Sequence, residues 1–262
     1  PMNGLVSMLG LLKQATLPSK EAKYVDIANT SARLLLNLVG DILDFSRIEA
    51  GKLELEKEAF CLSTMVKEIL GVLAVQAHGK GLGIHAALPV PSLLFVVGDR
   101  TRLQQILFNL LGNAIKFTQS GDVSLTVQIV SSSSDASEIA FQVSDTGVGI
   151  APERIAELFE PFKQQDASIS RRFGGSGLGL AISSQLVALM DGEIWAQARP
   201  EGGSIFGFKV CLPLVPEDQA AASSISDWPL LTQEIGLYGL DPLSHEVVEK
   251  LLVSAQARGT VF

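Results

Sequence analysis

The chain has 262 residues, of which 47% are hydrophobic and 18% are charged, and its formal net charge at pH 7 is −8. The length suffices for one sizeable core or two modest ones, and the negative charge argues against nucleic acid or an anionic membrane surface as a partner. The longest apolar stretch, HAALPVPSLLFVVG, is interrupted by Pro89 and Pro91. We therefore expect no membrane-spanning helix and no membrane contact by this segment.

Cysteine usage and the first residues bear on the cellular compartment. Cys61 and Cys211 lie far apart without C-x-x-C spacing, so we expect two buried thiols in a reducing compartment. The chain begins with Pro1 and shows no signal peptide. We expect a cytoplasmic segment of a longer protein, which could itself be anchored in a membrane.

Residues 1–16 and about 20–57 predict two helices around a short turn at Leu17-Pro18. In the second helix, apolar or small side chains recur in steps of three and four. They are Ala28, Ala32, Leu35, Val39, Ile42 and Phe45. Further leucines widen this stripe, which favours a bundle completed by a second copy of the chain. The alternative is that the hairpin packs against the downstream domain of its own chain.

From about residue 60 to residue 215 the pattern is mixed α and β. Helices are predicted at about 62–77, at 99–117 with Asp99 as N-cap, at 152–158, and from 177 to Gly192; strands are predicted at about 82–87, 123–130, 138–145, 193–199 and 204–213. Segregated helices and strands make the fold class α+β, a sandwich rather than an alternating parallel sheet. Residues 216–226 have linker composition, and residues 227–262, with one predicted helix at about 243–257, are assigned to no domain.

One face of the predicted helix at 99–117 is polar, with Arg102, Gln105, Asn109, Asn113 and Lys116. A solvated surface is the common explanation of such a face. Asparagine, however, is unfavourable inside a helix because its side chain competes with the backbone for hydrogen bonds. An amide oxygen can instead complete the coordination of Mg²⁺, and a lysine one turn further can face phosphates.

The stretch VSDTGVGI, residues 143–150, ends a predicted strand in Asp145 and continues with Gly147 and Gly149. A carboxylate can accept a hydrogen bond from an exocyclic amine such as adenine N6, and glycines let the backbone lie flat against a ring. D-x-G-x-G also describes ordinary turns, so this segment alone leaves both interpretations open.

The stretch RRFGGSGLGLAI, residues 171–182, places four glycines ahead of an apolar helix. Bare amides at a helix N-terminus can reach phosphate oxygens, and Arg171 and Arg172 add positive charge. A dinucleotide-binding fold is not indicated, because no strand runs into this turn. The Gly-Lys-Ser/Thr of a P-loop is also missing.

Taken in order, NLLGNAIKF, DTGVGI, FEPF and GGSGLGLAI resemble the N, G1, F and G2 boxes of sensor histidine kinases, within the wider ATPase family of gyrase B, Hsp90 and MutL. The stretch DILDFSRIEAGKLELE resembles the dimerisation domain of hybrid sensor kinases. The resemblance covers about residues 1–215. It implies a helical hairpin at 1–57 that forms a dimeric four-helix bundle, an α/β sandwich ATP-binding domain at 60–215, and a linker and unassigned segment at 216–262.

The resemblance also implies a nucleotide site. Asn113 would hold Mg²⁺ with Asn109 in support, and Lys116 would contact the phosphates. Asp145 would bind adenine N6. Further residues would shape the base pocket, anchor a mobile lid at 160–176 or close on the phosphates: Gly147, Gly149, Phe159, Phe162, Arg171, Gly175, Gly177, Leu178 and Gly179.

In this family the phosphorylated histidine precedes the proline of an H-E-[LI]-R-T-P motif, and Pro1 resembles that proline. We expect the acceptor to lie just before this chain, because His78 and His85 are predicted surface or packing residues and His245 lacks a following Arg-Thr-Pro. The parent would move the γ-phosphoryl of ATP to that histidine and then to a receiver-domain aspartate. The present chain would bind ATP and Mg²⁺ and form a homodimer without phosphorylating itself.

Two other functions are weighed. An ATP-driven clamp of the gyrase or MutL kind would carry a glutamate one turn before the metal-binding asparagine, and this chain has Asn109 there. A dimeric scaffold with a vestigial nucleotide site would not need Asn113, Asp145 and the glycines.

Overall fold

The computed structural model describes residues 2–15, 18–88, 94–133, 135–161, 177–215, 235–237 and 259–261. They belong to two compact units, Pro1–Leu214 and Val215–Phe262. In chain order, the first contains α1 (Met2–Gln14), α2 (Ser19–Glu49), β1 (Glu58–Cys61), α3 (Leu62–Gly79), β2 (Gly83–Ala87), β3 (Phe95–Gly98), α4 (Arg100–Phe117), β4 (Asp122–Ser132), β5 (Ala136–Asp145), a 3-10 helix (Pro152–Glu157), α5 (Gly179–Leu189), β6 (Glu193–Ala198) and β7 (Ser204–Pro213). In the second unit, β8 (Ile235–Leu237) pairs in parallel with β9 (Gly259–Val261).

The α1–α2 hairpin leaves much of its apolar surface uncovered. Helix α2 ends at Glu49, so the predicted helix to residue 57 is wrong. A Schellman motif stops it: Gly51 takes a φ of +62°, and the Gly51 and Lys52 amides donate to the carbonyls of Ile48 and Arg47, each at 2.9 Å. Residues 50–57, which the prediction included in the helix, are not helical.

A five-stranded sheet carries the second part of this unit, in the order β2-β4-β5-β7-β6. The β2–β4 pair is parallel and the other pairs are antiparallel. Helices α3, α4 and α5 share one hydrophobic core with the sheet, in which Phe141 and Phe208 face each other across β5 and β7 with stacked rings 4.6 Å apart. The predicted α+β sandwich is confirmed.

Helix α4 begins as predicted. The carboxylate of Asp99 accepts a hydrogen bond from the backbone amide of Arg102 at 2.9 Å, which satisfies one of the free amides of the first turn. The other carboxylate oxygen accepts from the Glu56 amide at 2.9 Å, so the same side chain fixes the segment that follows the hairpin. All six predicted apolar positions of this helix are buried: Leu103, Ile106, Leu107, Leu110, Leu111 and Ala114.

Several expectations need correction. The two short strands β1 and β3, which pair antiparallel, were not predicted, because four residues give too little alternation to detect. Helix α5 begins at Gly179 rather than 177 because Gly177 has a φ of +70°, and it ends at Leu189 before Asp191 reverses the chain. Cys211 is exposed on β7 rather than buried, while Cys61 is half-buried.

The predicted helix at 243–257 lies outside the described residues. Among the described residues, none of the helices combines the length and apolar character that crossing a bilayer requires.

Candidate nucleotide site

The polar face of α4 is divided between two roles. Arg102 donates through Nη1 to the Asp44 carboxylate of α2 at 3.0 Å, and Gln105 donates through Nε2 to the same oxygen at 2.9 Å. Arg102 also donates to Gln105 Oε1 at 2.7 Å. The first half of the face therefore joins the α/β domain to the hairpin, and the second half is left to form a site.

Asn109 and Asn113, one turn apart in that second half, belong to a chain of hydrogen bonds. Asn113 donates through Nδ2 to Asn109 Oδ1 at 3.3 Å, and Asn109 donates through Nδ2 to Ser183 Oγ at 2.8 Å. Both ends of the Asn109 amide are thus engaged within the protein. Neither of these two hydrogen bonds involves the carbonyl oxygen of Asn113. A neutral amide oxygen of this kind is a suitable ligand for Mg²⁺. The residues present therefore fit the predicted metal role at Asn113, with Asn109 behind it.

Lys116 lies in the last turn of α4 and is half-buried. Burial lowers the pKa of Lys116 below its usual value, because it penalises the charged ammonium. Lys80, from the turn after α3, donates through Nζ to the backbone carbonyls of Ile115 at 2.7 Å and Lys116 at 3.1 Å. This ammonium caps the helix C-terminus and fixes the turn that carries Lys116.

Asp145 ends β5 with only 3% of its surface exposed. Its Oδ1 accepts from the backbone amide of Gly147 at 2.8 Å, and its Oδ2 accepts from the hydroxyl of Ser204. Arg199 donates through Nη1 to the backbone carbonyl of Asp145 at 3.1 Å. These bonds fix the carboxylate, whose remaining lone pairs can accept from an exocyclic amine.

The turn after β5 fits closely between two other elements. A Cβ on Gly147 would lie 2.6 Å from the backbone oxygen of Phe117, the residue after Lys116, so only glycine permits this approach. Gly149 has a φ of +74°, a conformation that favours glycine, and faces the backbone of Gly203 in the β6–β7 turn. Asp145 is thereby held beside the end of α4 that carries Lys116.

The described end of the third glycine-rich segment meets the same helix. A Cβ on Gly179 would lie 2.4 Å from Asn109 Oδ1. The side chain of Leu178 is buried in the core, so only its backbone is available to a nucleotide. Phe159 is half-buried directly after the 3-10 helix. Three predicted site residues lie outside the described residues: Phe162, Arg171 and Gly175.

Sequence reasoning missed four residues that support the site: Lys80, Ser183, Arg199 and Ser204. Their partners lie 35 to 74 residues away along the chain. Only Ser183 had a local signal, since it lies four residues after Gly179 and so shares one face of the helix that the glycine segment enters.

Comparisons with known proteins match two parts of the chain to known families. Residues 98–216 match the family described as histidine kinase-, DNA gyrase B- and HSP90-like ATPase. Residues 1–51 match the His Kinase A (phospho-acceptor) domain.

Similar curated proteins are much longer than this chain. The signal transduction histidine-protein kinase BarA of Escherichia coli is 41% identical over 216 residues, covering 82% of this chain and 24% of BarA. The sensor histidine kinase GacS of Pseudomonas protegens is 35% identical over 262 residues, covering 100% of this chain and 28% of GacS. The chain thus spans about a quarter of the length of these relatives.

Solved structures share the fold. Full-length ShkA in complex with AMPPNP has a TM-score of 0.72 and 31% sequence identity, and the match covers 100% of this chain and 52% of ShkA. The histidine kinase AdeS of Acinetobacter baumannii has a TM-score of 0.57 at 24% identity, over 80% of this chain and 92% of AdeS, which is a likeness of fold alone.

Proposed function

This chain belongs to the sensor histidine kinases, with a phospho-acceptor-type hairpin and an ATP-binding domain of the histidine kinase, gyrase B and HSP90 type, and from that premise we propose that it is the kinase core of a hybrid sensor protein. One observation carries the proposal. Two glycine-bearing segments, distant in sequence, converge on the second half of α4, which carries the two asparagines: Asn109 contacts Gly179 and Ser183, and Gly147 contacts Phe117. We propose domain boundaries at 1–57, 60–215 and 216–262.

Different residues of this site would hold different parts of ATP and Mg²⁺. Asp145 accepts from adenine N6, and its rigid support favours adenine over bases without that amine. Asn113 holds the metal through its amide oxygen, and Lys116 contacts the phosphates together with the backbone amides near Gly177 and Gly179. When bound, Mg²⁺ neutralises phosphate charge during transfer. The protein contributes positioning and fixed charge.

The phosphoryl group would pass to a histidine and then to a receiver aspartate. Residues 1–51, which match the phospho-acceptor domain, contain no histidine, so the acceptor would be a histidine of the parent protein outside this chain. The exposed apolar side chains of the hairpin support a homodimer. Because ATP is supplied in the cytoplasm, this part of the parent would lie there.

Nucleotide titration of Asp145→Asn tests the site. Replacing a carboxylate that accepts a hydrogen bond should weaken ATP binding on the order of 10- to 100-fold. Asp135→Asn, an exposed residue directly before the other end of the same strand, is the matched control and should bind as the wild type does. Unchanged affinity in Asp145→Asn would instead favour a scaffold with a vestigial site.

Phosphoryl transfer is tested with γ-labelled ATP. The present chain should take up no label. The same chain extended at its N-terminus by the parent sequence should be labelled on histidine. Label on the present chain would contradict the proposed location of the acceptor.

A further inference from the structure

We propose that Ser183 is a positioning residue for the metal site: it orients Asn109, and through Asn109 the metal-binding amide of Asn113. The inference rests on the proposed function and extends it to a residue of α5. It also couples the helix that follows the glycine-rich segment to the side chain that would hold Mg²⁺.

Helix α5 contacts the Asn109 side chain at two positions one turn apart. Ser183, only 2% exposed, accepts from Asn109 Nδ2 at 2.8 Å. One turn earlier Gly179 leaves room for the same amide, since a Cβ there would lie 2.4 Å from Asn109 Oδ1 and 3.2 Å from Nδ2. The missing side chain of Gly179 therefore leaves room for the Asn109 amide, and the Ser183 hydroxyl anchors its Nδ2.

The two ends of an asparagine amide have opposite hydrogen-bonding character, so one orientation dictates the next. With Nδ2 of Asn109 held by Ser183, Oδ1 faces Asn113 and accepts from its Nδ2 at 3.3 Å. Asn113 then keeps its own carbonyl oxygen for a ligand. If Asn109 turned over, two NH₂ groups would oppose each other and Asn113 would lose this support.

The burial of Ser183 indicates that the bond has a purpose beyond packing. The other buried residues of α5 are all apolar: Ala181, Ile182, Leu186 and Val187. A hydroxyl among them costs free energy unless it is hydrogen-bonded. The donor to its oxygen is Asn109, a side chain of the proposed site.

The test measures binding of a non-hydrolysable ATP analogue by calorimetry, in EDTA and over a Mg²⁺ titration. Ser183→Ala should raise the half-maximal Mg²⁺ concentration about 10-fold, as expected for loss of an outer-shell partner, and change the affinity in EDTA less than twofold. Ser183→Cys, which keeps the volume but is a weak acceptor, should show the same defect. Ser184→Ala, the next residue of the helix, is the matched control and should resemble the wild type.

Each other outcome has a definite meaning. An equal loss of affinity with and without Mg²⁺, or a normal Mg²⁺ response in Ser183→Cys, would make Ser183 a packing residue and overturn the inference. So would a normal Mg²⁺ response in Ser183→Ala. Asn113→Ala separates this from the proposed function: it should abolish the Mg²⁺ effect, and an unchanged effect there would remove the metal role of Asn113 itself.

Discussion

The hairpin and the ATPase domain differ in how far their apolar side chains are buried. On α4 the leucines and isoleucine of the inner face are at most 1% exposed. On the hairpin, Leu35 and Ile42 are 49% and 50% exposed, and Met8 is 67% exposed. One domain closes its own core, while the other presents a long apolar surface that a second copy could cover.

Among the described residues, the two regions meet near the C-terminal end of α2. Phe45 and Ile48, near the C-terminus of α2, pack against the core of the ATPase domain, and Asp44 binds Arg102 and Gln105. The alternative that the hairpin packs on its own chain thus holds for this last part of α2, while several apolar side chains before it, such as Leu35 and Val39, are exposed. The contrast shows that one helix has two kinds of surface: its C-terminal end packs against the ATPase domain, and its earlier part leaves apolar side chains exposed.

The largest expected effect breaks the proposed dimer. Leu35→Glu with Ile42→Glu should raise the dimer dissociation constant about 1,000-fold, since each lost apolar contact costs about 1 kcal/mol and the two changes each occur twice in a symmetric dimer, which makes about 4 kcal/mol in all. Sedimentation measures the dimer, and ATP binding should be unchanged. Val72→Glu with Val75→Glu on α3, where both valines are also exposed, is the control. A monomeric wild type, or equal loss in the control, would contradict the dimer.

The next prediction compares one leucine from each region. Leu110→Ala, in the closed core, should lower the free energy of unfolding by about 2–5 kcal/mol at every protein concentration. Leu35→Ala should lower stability only to the extent that the dimer forms, so its effect should depend on protein concentration. Urea unfolding at two concentrations distinguishes them. If the effect of Leu110→Ala also depended on protein concentration, the predicted difference between the two regions would be wrong.

The junction between the regions should give a smaller effect. Asp44→Asn removes a charge that accepts two hydrogen bonds, with the Asp44 and Arg102 side chains only 20% exposed, and should cost about 1–2 kcal/mol of unfolding free energy. The control is Asp26→Asn, which breaks the 3.0 Å pair with Lys13 where both side chains are more than half exposed. That change should cost less than about 0.5 kcal/mol. Equal costs would mean that burial adds nothing at the junction.

The smallest expected effect is a pH dependence that ATP affinity should show and the dimer should not. An ordinary lysine has a pKa of about 10.4. Because burial lowers the pKa of Lys116, Lys116 should lose its proton at a lower pH than an ordinary lysine does. ATP affinity should therefore fall, by up to about 10-fold, as pH rises from neutral into the alkaline range, while the apolar dimer stays unchanged. Lys116→Arg keeps its charge throughout and should flatten the fall. The same decline in both proteins would assign it to another group.

Much of the fold was predictable because its signals are local. The face of α4, the Asp99 cap and the strand alternation at β4 and β5 all act within a few residues, and the structure confirms them. The end of α2 was not predicted: the Schellman bonds at Gly51 stop the helix at Glu49, before the segment that the prediction included. The pair β1–β3 joins two four-residue segments with a helix and a strand between them, which no local pattern records.

The candidate site divides in the same way. Residue types and spacing determined Asn113, Lys116, Asp145 and the glycines as candidates, since amide, ammonium, carboxylate and bare backbone each have a chemistry that is legible without coordinates. Tertiary structure alone decided that Asp44 takes Arg102 and Gln105 away from the site, and that Ser183 and Ser204 support its asparagine and its aspartate. The reason is physical: sequence encodes what a side chain can bond, whereas its actual partner depends on which distant segment the core brings within 3 Å.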